Sequence, residues 1–544
     1  MPHTDAENTE WDVIIVGTGM GGSTLGHALA QAGKKVLFCE QGIFTGTPAT
    51  ARGRYAESLF DRPEVPQPKH CNILRKSGRW MEDIEDASLT RPRTFIPFMG
   101  SGGGGSSALY GMALERFFPY DFTPKENYDD ATESTLPERW PITYEELEPY
   151  YSKAEKLYRL RGTVDPLRGE DQFTSYLQPP PLSPPAHELY QFLMNRGFHP
   201  YRLPLACEHV TGCDCCQGYL CARECKNDSA RICLVPALEQ FGAQLLDECE
   251  VLKLEADKKS VTRVVCSYRD QRILLRGALI VLAAGALRSP AILLNSASPA
   301  WPNGLANESG LVGKNLMRHL IDIYVVSPKT TRKHSSFKEM AFNDFYRIDK
   351  EKFGSVQSFG AMPPTEMITA TLEQELAEST LPFAAPLFHF FRPVVDFALS
   401  RFFAGKTILA SILEDLPYKN NQVTITKSPD SDRPRLSFKY HLTDYDKRRI
   451  ERFRKHVRAA LKSYRVFLIK QAENNERIAH ACGTCRFGSD PQISVLNPFN
   501  RAHDLTNLYV VDASFFPSSS GINPALTIAA NALRVADFII GNQI

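Results

Sequence analysis

The chain has 544 residues, 43% hydrophobic and 23% charged. These are ordinary globular values, which exclude wholesale disorder and coiled-coil or collagen-like architectures and leave room for about three or four domain-sized units. Lys and Arg number 63 against 62 Asp and Glu, a formal charge of +1, so neither nucleic acid nor an anionic membrane is expected as the main partner.

The first ten residues are polar and acidic, without the basic start of a leader. No clean apolar run reaches the roughly 18 residues of a transmembrane helix; residues 381–413 come nearest and are broken by His389, Arg392, Pro393, Asp396 and Arg401. The expectation is a cytoplasmic chain without a membrane span.

Residues 11–16, WDVIIV, predict a buried parallel strand. They run into Gly17, Gly19 and Gly22 in G-x-G-x-x-G spacing, then a helical stretch, then KVLFCE ending in Glu40, 18 positions after Gly22. Strand, glycine turn, helix, strand and a terminal acid form a dinucleotide-binding unit. The first glycine permits the tight turn, the second lets backbone approach a pyrophosphate, and the third lets the helix pack on the strand. The helix N-terminus offers N–H groups and the positive dipole end to phosphates. Glu40 would accept from a ribose hydroxyl and repel a 2′-phosphate, which disfavours NADP; the motif alone does not separate NAD from FAD.

Residues 43–98 predict little regular structure. A glycine-rich run, Gly100 to Leu109, follows and includes Gly104, Gly105, Ser106 and Ser107. Thr143 and Glu146 predict a capping box opening a helix in WPITYEELEPYY, and PPPLSPP at 179–185 predicts a linker. Of 13 cysteines, seven fall between Cys207 and Cys233; Cys39, Cys71, Cys249, Cys266, Cys482 and Cys485 are scattered. Residues 272–284 predict strands ending at Ala284-Gly285, and 320–470 a second, sheet-containing unit. Phe388, Phe391, Val395, Leu399 and Phe402 recur at helical spacing; a core-facing stripe is expected, with a membrane contact or a lid as alternatives. The C-terminal part predicts a strand (NLYVVD), a loop (SSSGINP) and an apolar helix.

Four segments in this order, GSGGGGSSAL, AAGALRSPAILLNS with GLVGKNLMRH, HACGTC and NLYVVDASFFPSSSGINPALTIAANALRVAD, resemble the glucose–methanol–choline (GMC) oxidoreductases, and WPITYEELEPYY and EDLPYKNNQV resemble segments of the sugar-oxidising members. The resemblance runs from about residue 11 to 540. It implies an α/β fold (α+β over the whole chain) with a Rossmann-like FAD domain formed by 1–150, 230–325 and 471–544, and a discontinuous, sheet-containing substrate domain formed by 151–229 and 326–470. By position it places Gly104, Gly105, Ser106, Ser107, Ala284, Gly285, Asp512 and Asn523 along FAD, with His480 and Asn523 catalytic. Some members bond FAD to a His at the position of Ala108, so the expected FAD is non-covalent. His319 and His503 are left without a role.

The implied reaction is oxidation of an alcohol on a sugar or sugar-like substrate, such as an aminoglycoside intermediate, to a carbonyl. The flavin N5 takes a hydride and a base takes the hydroxyl proton. An imidazole has the matching pKa, which favours His480; the Asn523 amide orients the substrate. Oxygen, a quinone or a redox partner protein would take the electrons.

The cysteine cluster leaves three readings open: an iron–sulfur site, structural thiols or disulfides, and zinc. The sugar-dehydrogenase branch implies the first, with Cys215, Cys221 and Cys225 as ligands passing electrons to a partner subunit. A non-catalytic FAD-binding protein is the rival from another class.

Overall fold

A computed structural model describes residues 3–44, 48–88, 90–169, 174–330, 337–379, 382–428 and 431–542. Its first sheet has strand order Gln244–Leu246, Val36–Cys39, Glu10–Val16, Gln271–Leu282, Val261–Tyr268, Cys249–Ala256, with Leu508–Val510 also paired to Gln271–Leu282. The twelve-residue strand Gln271–Leu282 serves three partners. Residues 271–275 pair antiparallel with Val261–Tyr268, and 276–282 pair parallel with Glu10–Val16.

Both faces of the parallel part are buried, which is why its strands read as continuous apolar runs. Val13, Ile15, Leu279 and Val281 face a core shared with Leu25 and Leu29 of the helix Met20–Gln31 and Val535 and Ile539 of the helix Ala525–Gly541. Ile14, Val16, Ile280 and Leu282 face the opposite core. Gly26 lets the first helix settle on the sheet, since a Cβ there would lie 2.3 Å from the Phe38 ring.

A second, antiparallel sheet runs Ala341–Phe342, Gly354–Ser358, Thr407–Leu413, Leu320–Ser327, Arg465–Ile469. The helix Asp444–Ala460 covers it with Ile450, Phe453 and Val457. Arg454 pairs with Asp322 at 2.7 Å beneath that helix. A third sheet joins Gln422–Ser428 and Ser431–Lys439 to Ile84–Asp86 and Arg93–Phe95. The 43–98 stretch therefore supplies two three-residue strands and the helix Cys71–Lys76, and part of the N-terminal segment joins a sheet built otherwise from 422–439. The second sheet begins at Leu320, inside the 230–325 segment. Thr143 caps the helix Tyr144–Leu157, and Glu146 answers the cap.

The aromatic stripe is helical but not a core face. The helix Ala385–Phe403 leaves Phe390 76%, Phe397 67% and Val394 64% exposed, while Arg392 is its buried residue. Phe391 and Phe402 are exposed, and Phe388, Val395 and Leu399 are half-buried. The reason is an inverted hairpin with the helix Thr365–Glu378, in which the polar groups turn inward. Arg392 donates to the carbonyls of Pro63 (2.7 Å) and Glu366 (2.8 Å), and Thr369 donates to Asp396 at 2.7 Å. Among the described residues, no helix is long and apolar enough to cross a membrane.

Candidate active site

Three glycine turns converge at the carboxyl ends of the parallel strands, where ligands of open α/β sheets bind. Gly17 has φ +98° and lies so close to the strand ending at Leu282 that a Cβ would meet Ala283 O at 2.5 Å. A Cβ on Gly22 would meet Gly17 O at 2.2 Å. Gly105 faces Gly19, its would-be Cβ 3.1 Å from the Gly19 Cα, while a Cβ on Gly19 would meet nothing within 4 Å. Gly19 caps the helix Met20–Gln31 without a side-chain bond. Gly285 has φ +86°, and a Cβ there too would meet nothing within 4 Å. An uncapped helix N-terminus under open space, walled by glycine backbone, fits the pyrophosphate of FAD.

Two acids anchor this cradle. Glu40 is 6% exposed and accepts from Thr18 N (3.1 Å), Thr18 Oγ1 (2.6 Å), Gly42 N (3.0 Å) and Gly102 N (3.0 Å). It ties the first glycine turn to the glycine-rich run, and burial raises its pKa. Asp512 accepts from Gly285 N (2.9 Å), Ser289 Oγ (2.5 Å) and Ser514 N (2.8 Å), fixing the Ala284-Gly285 turn, and burial raises its pKa as well. Ser107 is a scaffold group: its Oγ donates to Gly104 O at 2.7 Å and contacts Ser229 Oγ at 2.9 Å. Ser106 Oγ accepts from Gly100 N at 3.2 Å.

His480 sits at φ +60°, a conformation uncommon for a side chain other than glycine. Its Nδ1 is 2.7 Å from Nδ1 of His319, with the rings at 82°. His319, 1% exposed, points Nε2 at the carbonyls of Ser519 (3.2 Å) and Ser520 (3.0 Å). Carbonyls only accept, so Nε2 of His319 carries its proton and Nδ1 is its acceptor. The proton between the two rings then belongs to His480 Nδ1, which leaves His480 Nε2 as a bare lone pair. Burial holds His319 down to about 4; burial, then His319 and Lys338, hold His480 well below the ordinary range. The pair is neutral and its outer nitrogen is free to take a proton, but the lowered pKa makes it a weaker base than the matching imidazole the sequence leads one to expect. His319 is thus the residue that sequence reasoning missed, and nothing in its local sequence marks it as the partner of a histidine 161 positions away.

The loop that supplies the two carbonyls also carries Asn523. Its Nδ2 donates to Gln357 Oε1 at 2.9 Å, and Glu115 accepts from the same side chain. Glu115 is 2% exposed, contacts Tyr201 Oη, and burial raises its pKa to about 7. The loop is braced from beneath. Lys352 lies between Asp121 (2.5 Å) and Glu414 (2.7 Å), all three fully buried. Glu414 accepts from Ser520 N at 2.9 Å, and Tyr346 Oη from Gly521 N at 3.1 Å.

Lys338 is 8% exposed, and burial brings its pKa down to about 8. It lines a cavity of about 290 Å³ with Arg161, Arg202, Glu339 and Cys213. Met340, two residues on, accepts from Ser358 N at 2.8 Å, beside Gln357.

The cysteines assemble differently from the expected ligand set. Cys221 and Cys225 lie 3.6 Å apart, but the chain of sulfurs continues through Cys213 (2.9 Å from Cys225) to Cys207 (3.8 Å from Cys213). Cys215 has no place in it and lies instead beside Lys338. All 13 are free thiols. Cys39, Cys249 and Cys266 also converge in the sheet core, their sulfurs within 4.8 Å of one another, because three strands bring them to one face. Lys226, 1% exposed, ties the cysteine loop to the glycine-rich run by donating to the carbonyls of Ala108 (2.7 Å), Tyr219 (3.0 Å) and Cys216.

Residues 11–321 and 417–532 match the N- and C-terminal family models of GMC oxidoreductase. The chain is 28% identical to paromamine 6′-oxidase of Streptomyces fradiae, over 99% of this chain and 93% of the relative. It is also 28% identical to 2-methyl-1,2-propanediol dehydrogenase of Mycolicibacterium austroafricanum, over 98% and 96%. Pyridoxine 4-oxidase from Mesorbium loti superimposes with a TM-score of 0.63 at 20% identity, over 97% of this chain and 99% of that one.

Proposed function

The chain belongs to the GMC oxidoreductase family of FAD-dependent enzymes that act on alcohol groups, and on that premise we propose that it oxidises one hydroxyl of a sugar-like or polyol substrate to a carbonyl, with His480 as base. The neutral His480–His319 pair carries this reading. Bound FAD supplies the two-electron hydride acceptor. The groups that would hold it are the N–H groups at Gly19 and the start of the first helix, Glu40, and the turns at Gly104–Gly105 and Ala284–Gly285.

His480 Nε2 takes the hydroxyl proton as the carbinol hydrogen leaves. Its cation is then stabilised by the alkoxide character of the substrate oxygen and by the bond from its Nδ1–H to His319. Asn523, its Nδ2 engaged by Gln357 and Glu115, accepts from a neighbouring substrate hydroxyl at Oδ1 and fixes which carbon faces the flavin. The relatives include an oxidase named for the amino sugar paromamine.

The test is anaerobic flavin reduction by a panel of neutral polyols, sugar acids and amino sugars. Wild type should bleach with at least one of these classes, and His480→Ala should keep FAD and slow bleaching by about 10²–10⁴-fold. Unchanged bleaching removes His480 as base.

A metal relay is the second reading, favoured by the sulfur chain that Lys226 holds against the glycine-rich run. It requires Cys207, Cys213 and Cys225 instead of Cys215. Iron and acid-labile sulfide in anaerobically purified protein, lost in Cys225→Ser and kept in Cys215→Ser, would support it; metal-free wild type would leave oxygen or a quinone as acceptor.

A further inference from the structure

The helix Ala385–Phe403 and the turn before it present a large apolar surface to solvent. Phe383, Leu387, Phe390, Phe391, Val394, Phe397 and Phe402 are 37–77% exposed. Phe402 continues the patch onto Phe467, 56% exposed, through a ring contact at 5.4 Å. Phe467 lies on the edge strand of the second sheet. Large side chains of this kind present about 150–250 Å² each, so the fractions amount to roughly 900 Å². The largest patch on a typical monomer is about 300–600 Å², and one partner in a stable protein interface contributes about 800 Å².

The patch is also not a misfolded core face. Every polar group that could have pointed outward at its centre is used inward: Arg392 on two carbonyls and Glu373 (3.2 Å), and Asp396 on Thr369. The sequence spends buried hydrogen bonds to keep the aromatic face outside.

Charge identifies what covers it. Around the patch, Glu366, Glu373, Glu375, Glu378 and Asp396 are balanced by Arg93, Arg392, Arg401, Lys406 and Arg465, so there is no excess of cations to hold an anionic lipid surface. The charges are also segregated along the helix, which is about 28 Å long. Near the N-terminal end Glu373 meets His389 (2.8 Å) and Arg392 (3.2 Å) and Glu378 pairs with Arg93 (3.2 Å), while Glu375 lies exposed between them. Arg401 in the last turn of the helix, Lys406, which donates to Ser327 Oγ at 2.9 Å, and Arg465 at the start of the Phe467 strand lie toward the C-terminal end, where Phe402 touches Phe467. An acidic end, an apolar middle and a basic end form a self-complementary surface. Two copies related by a two-fold axis through the middle of the helix pack it antiparallel, and the acidic end of each meets the basic end of the other.

We propose that this face is a two-fold homodimer interface, with the Ala385–Phe403 helices packed antiparallel at its centre. The FAD-loaded full chain is examined by sedimentation equilibrium from sub-micromolar to tens of micromolar. Wild type should reach twice the 61.0 kDa chain mass, and Phe390→Glu/Phe397→Glu should remain at the monomer mass with unchanged FAD content and flavin reduction.

Register is tested by charge exchange. Arg401→Glu should weaken dimerisation several-fold, and adding Glu375→Arg should restore it. A wild type that stays monomeric at tens of micromolar overturns the proposal, as does a dimer that survives the double Phe substitution. Monomeric wild type that floats with phosphatidylcholine vesicles assigns the face to a lipid surface instead. Failure of the charge exchange to restore affinity overturns the antiparallel packing.

Discussion

Replacing His319 by Phe removes the acceptor for His480 Nδ1–H without opening a large cavity. Three consequences follow from the geometry. The Nδ1–H loses its 2.7 Å partner, the carbonyls of Ser519 and Ser520 lose their shared donor, and the His480 ring is free to move its proton to Nε2. In that tautomer the outer nitrogen donates and takes no proton from an alcohol. An unsatisfied buried polar group costs about 1–3 kcal/mol, so the productive tautomer loses one to two orders of magnitude in population. The carbonyls, no longer tethered, add misplacement of Asn523.

The expected result is a fall of about 10²–10³-fold in the anaerobic flavin-reduction rate at saturating substrate, or roughly 3–4 kcal/mol of barrier, with FAD still bound. His319→Asn, whose Oδ1 can stand where Nδ1 was, should recover most of it. Stopped-flow reduction of both variants decides the matter. A His319→Phe enzyme within a few-fold of wild type, or an Asn variant no better than Phe, would refute the tautomer argument.

Other predictions rest on other parts of the molecule. Gly19→Ala places a Cβ in open space, so the FAD-free protein should melt as wild type does, while FAD occupancy falls at least about tenfold because the methyl takes the pyrophosphate's place; equal FAD affinity would show that the phosphates lie elsewhere. His319, neutral in the fold and held to about 4, gains protons in the unfolded chain first as pH falls below the ordinary 6.5. Its contribution, about 3 kcal/mol, is complete above pH 6.5 and lost toward pH 4, and His319→Asn should flatten that limb of the stability profile measured by denaturant unfolding. Glu115, raised to about 7, behaves oppositely, its stabilisation present below pH 4.5 and lost as pH rises to 7. Glu115→Gln should therefore raise the Tm relative to wild type at pH 8 but not at pH 5. Lys226→Met leaves three carbonyls without their shared donor and should cost about 2–4 kcal/mol in thermal unfolding, with loosened FAD binding as the cysteine loop parts from the glycine-rich run.

The sequence by itself determined what backbone geometry demands over short spans. G-x-G-x-x-G before a helix admits one kind of turn, because a Cβ at Gly17 or Gly22 would collide with a neighbouring carbonyl. Thr143 with Glu146 admits one kind of helix start. Those constraints, repeated in order from Gly17 to Asn523, were enough to identify the family.

The tertiary structure decided everything that depends on what a distant segment brings. Helical spacing at 388–402 says which residues share a face and not which face turns inward; that was set by the carbonyls of Pro63 and Glu366 waiting for Arg392. Cysteine spacing does not say which sulfurs meet, and the loop fold put Cys213 where Cys215 was expected. An imidazole's tautomer is fixed by the acceptor at its other nitrogen. For His480 that acceptor is His319, itself oriented by two carbonyls of a third segment, an arrangement that exists only once all three strands of chain are in place.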